Sequence, residues 1–149
     1  MFNIDGRAVA PQDVVTAVFH FSKDLEISEA IGDQQGQTQM HSLLGACALE
    51  LHDVEGALTH YRRSWDFSEH AINKFFAGAG LLSCYALSNK NEAFQEVVST
   101  LRPLTDEPIP EMCAQELVGP LSSCPEEMRT AEVQQLLNAA KTAVNSPGN

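Results

Sequence analysis

Apolar residues along this chain recur at intervals of three and four positions, and prolines and glycines interrupt the pattern at its edges. This interval places apolar side chains on one face of an α-helix, whereas a half-buried strand would alternate apolar and polar residues. No segment alternates for long enough to predict a strand. The pattern therefore predicts an all-α protein with about seven helices, at about 11–31, 35–51, 54–68, 71–87, 90–102, 110–121 and 126–144.

Polar residues before three of these segments are typical of helix starts. Asp53 precedes the third helix and can accept a hydrogen bond from a free amide of its first turn. Asn89 with Glu92, and Ser123 with Glu126, have the spacing of a capping box, in which the acidic residue reaches back to the amide of the capping residue. We therefore expect new helices to start at these two positions as well.

A small residue followed four positions later by a larger one recurs along the chain at intervals of 36 to 40 residues. Positions i and i+4 share a helix face, so the alanine permits a close approach of a neighbouring helix and the larger residue fills the gap beside it. Stacked helical hairpins produce repeats of this length. The copies are Ala17 with Phe21, Ala57 with Tyr61, Ala93 with Val97 and, in weaker form, Ala131 with Gln135.

The central copy resembles the tetratricopeptide repeat, whose pattern runs W-x-x-L-G-x-x-Y, then A-x-x-x-F, then P. The resemblance covers about residues 11–105 well and 109–144 poorly. It implies a right-handed superhelical stack of antiparallel helical hairpins. The matching residues are Leu44, Gly45, Ala57 and Tyr61, and the departures are His41, Ala48 and Glu69 in place of Trp, Tyr and Pro.

The resemblance also implies a domain organisation. Residues 11–31 correspond to the second helix of a hairpin, so we expect them to cap the array or to belong to a longer one. An end helix without its hairpin partner would expose apolar surface that could pair with a second copy of the chain. The expected division is one domain over 1–149, with a capping helix at 11–31, repeats at 35–68 and 71–102, a degenerate repeat at 110–144 and a frayed tail at 145–149.

The acidic composition argues against several classes of partner. Nine Lys and Arg against twenty Asp and Glu give a formal net charge of -11, which repels nucleic-acid phosphates and anionic lipid surfaces. Residues 1–7 lack the features of a signal peptide, and no window approaches eighteen consecutive apolar residues. We expect a cytoplasmic protein that binds neither nucleic acid nor membrane, with reduced and mostly buried cysteines.

The histidines and cysteines could carry chemistry, but their spacing matches no catalytic or metal-binding motif. The sequence lacks C-x-x-C, H-E-x-x-H, G-x-S-x-G and a phosphate-binding loop. His20 and His60 occupy equivalent repeat positions, and His41, His52 and His70 lack the i, i+4 spacing of helical ligands. We therefore predict no catalytic residue, no metal ligand and no cofactor. A metal-dependent enzyme is the contrasting hypothesis, which elemental analysis would test.

The function that the resemblance implies is that of a non-catalytic scaffold or adaptor for another protein. Two narrower versions are a small secretion chaperone, suggested by residues 44–47, and a regulatory repeat segment of a larger signalling protein, suggested by residues 25–33. Family members that hold a C-terminal carboxylate use Lys, Arg and Asn in the groove, and the matching positions here are neutral, apolar or acidic. An apolar partner segment, with or without basic residues, therefore suits the groove better. The groove positions are Gln39, Ser42, Ala46, Leu49, Glu50, Phe75, Ala79 and Leu82.

Overall fold

A computed structural model describes residues 11–145, and within this range the chain forms seven α-helices and no strand. The prediction of an all-α protein with seven helices is therefore confirmed. The boundaries of the first five helices agree with the predicted ones to within one residue. The helices are α1 (Pro11–Ile31), α2 (Gln34–Glu50), α3 (Val54–Phe67), α4 (Ala71–Leu87), α5 (Asn91–Leu101), α6 (Glu111–Ser123) and α7 (Ala131–Val144), with 3-10 turns at Arg102–Asp106 and Glu126–Met128.

The chain divides into two compact units, the first ending at Ser68 and the second beginning at Glu69. In the first unit, α2 packs against both α1 and α3. In the second unit, α4 pairs with α5 and α6 pairs with α7, while α4 also contacts α6 and α5 also contacts α7. Corresponding helices of the two hairpins are therefore stacked within the second unit. The division falls between the two predicted repeats at 35–68 and 71–102. The predicted tail lies outside the described residues except for Asn145.

Three helices end in the same tight turn. Gly32, His52 and Asn89 each have a positive φ, of 74°, 61° and 57°. The amide after each of them donates to the carbonyl five residues earlier, which is the hydrogen bond of a Schellman turn. These bonds run from Asp33 to Ser28 at 2.8 Å, from Asp53 to Ala48 at 2.8 Å and from Lys90 to Tyr85 at 2.9 Å. One turn geometry therefore joins α1 to α2, α2 to α3 and α4 to α5.

Two of these turns continue directly into a capped helix. The carboxylate of Asp53 accepts a hydrogen bond from the Gly56 amide at 2.9 Å, which confirms the predicted cap. Asp33 makes the same 2.9 Å bond with Gly36, a cap that the sequence reading missed. The predicted cap at Asn89 is wrong. The positive φ of Asn89 places it in the turn that ends α4, and α5 follows Lys90 without a side-chain cap.

The predicted start of the seventh helix at about 126 is also wrong. Ser123 is the last residue of α6, and its hydroxyl donates to the Gly119 carbonyl at 2.8 Å instead of capping a new helix. The chain then makes a short 3-10 turn that buries Met128 completely. Burying this side chain requires a change of direction before α7. The cap of α7 is Thr130, whose hydroxyl accepts from the Val133 amide at 3.2 Å.

The repeat positions differ in burial from one copy to the next. Ala57 is 0% exposed and Tyr61 is 6% exposed, so the central copy lies in the core of the chain. Ala17 and Phe21 are half-buried in α1. The weak copy in α7 has both of its positions, 131 and 135, exposed to solvent. Only the central copy therefore uses both of its residues as buried packing groups.

Polar side chains fix the alignment of α5 with the start of α7 in the second unit. The Gln95 amide donates to the Met128 carbonyl at 2.7 Å, and the Thr130 hydroxyl donates to the Gln95 side-chain oxygen at 3.1 Å. One turn further along α5, the Ser99 hydroxyl donates to the Glu132 carboxylate at 2.7 Å. These bonds join residues about 33 positions apart and hold the two helices in one register.

Candidate functional site

The five predicted groove residues of α2 differ in how much of each side chain is accessible. Gln39 is exposed, whereas Ser42, Leu49 and Glu50 are half-buried. Ala46 is only 2% exposed, and α2 packs against both α1 and α3. A partner could therefore reach Gln39 and parts of Leu49 and Glu50, but hardly Ala46. The binding role of these residues stays a prediction.

The three predicted groove residues of α4 are all buried in the chain as it stands. Phe75, Ala79 and Leu82 are 2%, 4% and 0% exposed. The neighbouring Phe76 is half-buried. Phe75 is the predicted groove residue, but the structure leaves more of Phe76 accessible. A partner that bound through these residues of α4 would have to contact side chains that are almost completely buried.

A row of buried polar side chains lies between α2 and α3. Thr38 is 1% exposed and Ser64 is 0% exposed. The Ser64 hydroxyl donates to the Thr38 carbonyl at 2.9 Å. Because the single proton of Ser64 is used in that bond, the Ser42 hydroxyl is the donor in the 2.7 Å contact with Ser64. Ser42, predicted to contact a partner, therefore bonds within its own hairpin.

His41 and His60 extend this polar row with a direct contact between their rings. Their Nδ1 atoms lie 3.1 Å apart, and the ring centroids are separated by 5.4 Å. One Nδ1 must carry a proton and the other must accept it, so the two neutral rings have different tautomers. His41 is 4% exposed, which makes it one of the few buried polar residues among those the structure describes.

The environment of this histidine pair favours the neutral rings. Burial lowers the pKa of His41 to about 4, and repulsion from the nearby His60 and Arg63 acts in the same direction. Burial also lowers the pKa of His60, as does Arg63, while the Asp53 carboxylate opposes the shift. Two neutral rings that hydrogen-bond each other stabilise the hairpin without bringing charge into its interior. The same positive charge of Arg63 disfavours a cation between the rings.

The histidine pair is not predicted by the repeat spacing, in which His20 and His60 are equivalent positions on successive hairpins. The contact depends instead on the pairing of α2 with α3. His41 lies one turn before Gly45, and His60 is adjacent to Tyr61, which packs on Gly45. The predicted contact between these two helices is the signal that could have placed the histidines together. Across the part of the chain that the structure describes, no group of three or more His, Cys, Asp or Glu residues is placed to hold a metal ion.

The four cysteines are buried and form no disulfide within the described residues, which confirms the expected burial of the cysteines. Burial is the main cause that raises the pKa of Cys47 and of Cys113 to about 11. Cys84 is 0% exposed and Cys124 is 4% exposed. A thiol with a raised pKa stays protonated near neutral pH and is a poor nucleophile or metal ligand. Cys47 and Cys113 therefore act as small apolar packing groups.

Comparison with protein families, with curated proteins and with solved structures gave no match to this chain. Within residues 11–145, no helix combines the length and the apolar character needed to cross a bilayer.

Proposed function

We propose that the protein is a non-catalytic scaffold of the tetratricopeptide type that binds an apolar segment of another protein. The contact between Gly45 and Tyr61 carries this proposal. A Cβ atom added at Gly45 would lie 2.9 Å from the Tyr61 ring, so the glycine of the family pattern is needed for the close approach of α2 and α3. Ala57, the small residue of the second motif, is fully buried in the same hairpin.

The packing of the second unit supports the stacking that such a scaffold requires. The α4–α5 and α6–α7 hairpins contact each other through corresponding helices. A hairpin of this kind cannot bury its apolar face alone, so it gains stability by lying against the next hairpin. The right-handed superhelix of the family and a cytoplasmic location are part of the proposal.

The charges of the chain suggest what kind of segment it would hold. The formal net charge is -11, and α2 contains no Lys or Arg among its residues. The accessible part of the predicted α2 surface combines the amide of Gln39, apolar surface of Leu49 and the carboxylate of Glu50. An apolar partner segment with basic residues at its edges would bury its side chains here and place its positive charges near acidic groups. Nucleic acid and anionic membranes would be repelled.

A charge reversal on α2 tests the proposal. Affinity capture followed by mass spectrometry identifies a candidate partner, which is then purified and titrated against the protein by calorimetry. We expect the double variant Gln39→Lys, Glu50→Lys to bind at least about tenfold more weakly, because the added positive charges repel a basic segment.

Met112→Glu is the matched control, since Met112 is 60% exposed on α6 and lies outside the predicted groove. This variant should keep the affinity of the wild type. The proposal fails if no purified protein binds the wild type, or if the charge reversal and the control change the affinity equally.

A further inference from the structure

The contact between His41 and His60 joins α2 to α3 beside the packing of Tyr61 on Gly45. His41 lies one turn before Gly45 on α2, and His60 directly precedes Tyr61 on α3. The ring centroids are 5.4 Å apart, which equals the 3.1 Å between the Nδ1 atoms plus about one ring width, so the two nitrogens face each other head-on. A change that forces these nitrogens apart therefore acts directly on the packing of α2 against α3.

The neutral pair holds a single proton between its two Nδ1 atoms. The donor ring carries this proton and has a lone pair on Nε2, whereas the acceptor ring carries its own proton on Nε2. A first added proton can bind Nε2 of the donor ring and leave the contact intact as a charge-assisted hydrogen bond. A second added proton can only bind Nδ1 of the acceptor ring. The contact is then lost, because two N–H groups and two positive charges face each other.

The burial of the two rings indicates which of them takes the first proton. His41 is 4% exposed, whereas His60 is half-buried, so water can hydrate a charge on His60 more easily. Burial and then Arg63 lower the pKa of His60, and the Asp53 carboxylate opposes this shift. His60 is therefore the donor ring that takes the first added proton on Nε2, and His41 Nδ1 is the acceptor that takes the second.

The helices around the pair bring little negative charge to it. The charged and titratable residues of α1, which packs against α2, are all exposed, and its buried residues Val14 and Ser28 are uncharged. Glu50 is the one charged residue of α2 and lies more than two turns beyond the pair. The charged residues of α3 other than Arg63 are also exposed and are Glu55, Arg62 and Asp66. Two protonated rings would therefore add to the positive charge of Arg63, with the Asp53 carboxylate as a partial offset.

We propose that the histidine pair is a two-proton switch, which holds α2 to α3 at neutral pH and opens the first unit in acid, when His41 Nδ1 takes up a proton. Both rings can bind protons freely once the helices separate, so the opening equilibrium rises with up to the square of the proton concentration. The second unit has a single histidine, His70, which is exposed. Acid in the range where histidine titrates therefore opens the first unit and leaves the second folded. The inference does not depend on the proposed partner-binding function.

Amide hydrogen exchange of the full chain, followed by NMR between pH 7 and pH 5, measures the opening equilibrium of each helix after correction for the intrinsic pH dependence of exchange. We expect the opening constant of the slowest amides in α2 and α3 to rise at least about tenfold over this range, and that of α6 and α7 to change by less than about threefold. The double variant His41→Gln, His60→Gln should lose the rise.

His52→Asn is the matched control for this experiment. His52 belongs to the same unit but is exposed, and its positive φ is one that asparagine adopts in the equivalent turn at Asn89. This variant should keep the full rise of the wild type, because the histidine pair is unchanged.

The ring nitrogens of the wild type, labelled with ¹⁵N at histidine, test the order of protonation without any substitution. At pH 7 we expect the proton of His60 on Nδ1 and that of His41 on Nε2, with a scalar coupling between the two Nδ1 nuclei across the hydrogen bond. On acidification the next proton should appear on Nε2 of His60 while this coupling persists. The coupling should then disappear together with the protection of α2 and α3.

Three results would overturn the proposal. They are an opening constant that rises equally in both units or not at all, a rise that persists in the double variant, and a loss of the Nδ1 coupling while α2 and α3 stay protected. The reverse order of protonation, with His41 charged first, would overturn the assigned roles of the two rings.

Discussion

The Tyr61 ring on α3 packs so closely against Gly45 on α2 that a Cβ atom at position 45 would lie 2.9 Å from the ring carbon Cδ2. Helix propensity alone predicts that an alanine at this position would raise the stability of the protein, because glycine is about 1 kcal/mol less favourable in a helix interior. A loss of stability on Gly45→Ala would therefore report the contact itself.

We expect Gly45→Ala to lower the free energy of unfolding by roughly 1–3 kcal/mol, since the ring must move to accommodate the methyl group. Urea titration followed by circular dichroism measures the change. Gly119→Ala is the control, because a Cβ atom at this exposed position of α6 would meet nothing within 4 Å. The control should change the free energy of unfolding by less than about 1 kcal/mol, since the better helix propensity of alanine is offset by the steric restriction that Pro120 places on a preceding residue with a Cβ atom. Equal effects of the two substitutions would contradict the close contact.

The shared turn geometry predicts opposite effects of substitution at two equivalent positions. Gly32 and His52 both have a positive φ, but only the histidine carries a Cβ atom that makes this conformation costly. We expect His52→Gly to raise the free energy of unfolding by about 0.5–1 kcal/mol and Gly32→Ala to lower it by about 1 kcal/mol.

Thermal and urea unfolding measure both changes. A Cβ atom at Gly32 would meet nothing within 4 Å, so the loss in Gly32→Ala would come from the backbone conformation alone. If His52→Gly were less stable than the wild type, the His52 side chain would stabilise the fold by more than its positive φ costs.

The start of α7 can be tested by comparing the cap in the structure with the one expected from the capping-box spacing. Thr130 caps the helix by accepting from the Val133 amide, whereas the Ser123 hydroxyl bonds back to Gly119 within α6. We expect Thr130→Ala to cost about 1 kcal/mol, and Ser123→Ala to change the free energy of unfolding by less than about 0.5 kcal/mol. The reverse order in urea titrations would favour the longer helix starting near residue 126.

The histidine pair makes stability depend on pH in a defined direction. The pKa of His41 falls from 6.5 to about 4 on folding, and the pKa of His60 is also lowered. Between these values the unfolded chain binds protons that the folded chain does not, so the free energy of unfolding rises with pH. The free energy of unfolding keeps its full value above about pH 6.5. It decreases by about 1–3 kcal/mol as the pH falls toward 4.

Urea unfolding at several pH values between 4 and 7.5 measures this dependence. The double variant His41→Gln, His60→Gln keeps polar side chains at both positions but cannot take up protons there. We expect its stability to vary less with pH over this range. A variant with the same pH dependence as the wild type would show that the histidine pair does not cause it.

The sequence predicted the helices well because the signal for a helix is local. Apolar residues at i, i+3 and i+4 define a face wherever the chain folds, and glycine, proline and Asp53 mark the ends of that pattern. The close approach of α2 and α3 at Gly45 also depends on residue type, because only a small side chain permits it. The burial of the cysteines was predictable in the same way.

The errors occurred where one residue type serves two local roles. Asparagine is common both as a helix cap and at a position of positive φ. Asn89 has the second role, because the Lys90 amide donates to the Tyr85 carbonyl in a Schellman turn. Ser123 has a capping-box partner in the sequence, but the complete burial of Met128 forces a break before α7. Both choices depend on contacts made by the residues that follow.

The sequence by itself determined that this chain is a series of amphipathic helices with acidic surfaces, since side-chain chemistry and the helical period suffice for that. Only the tertiary structure decided that Phe75 is buried, that His41 meets His60 and that Phe19 and Ile27 of α1 stay exposed. The physical reason is that burial and contact depend on which helix faces meet. That pairing joins residues far apart in the chain, and spacing within one helix does not specify it.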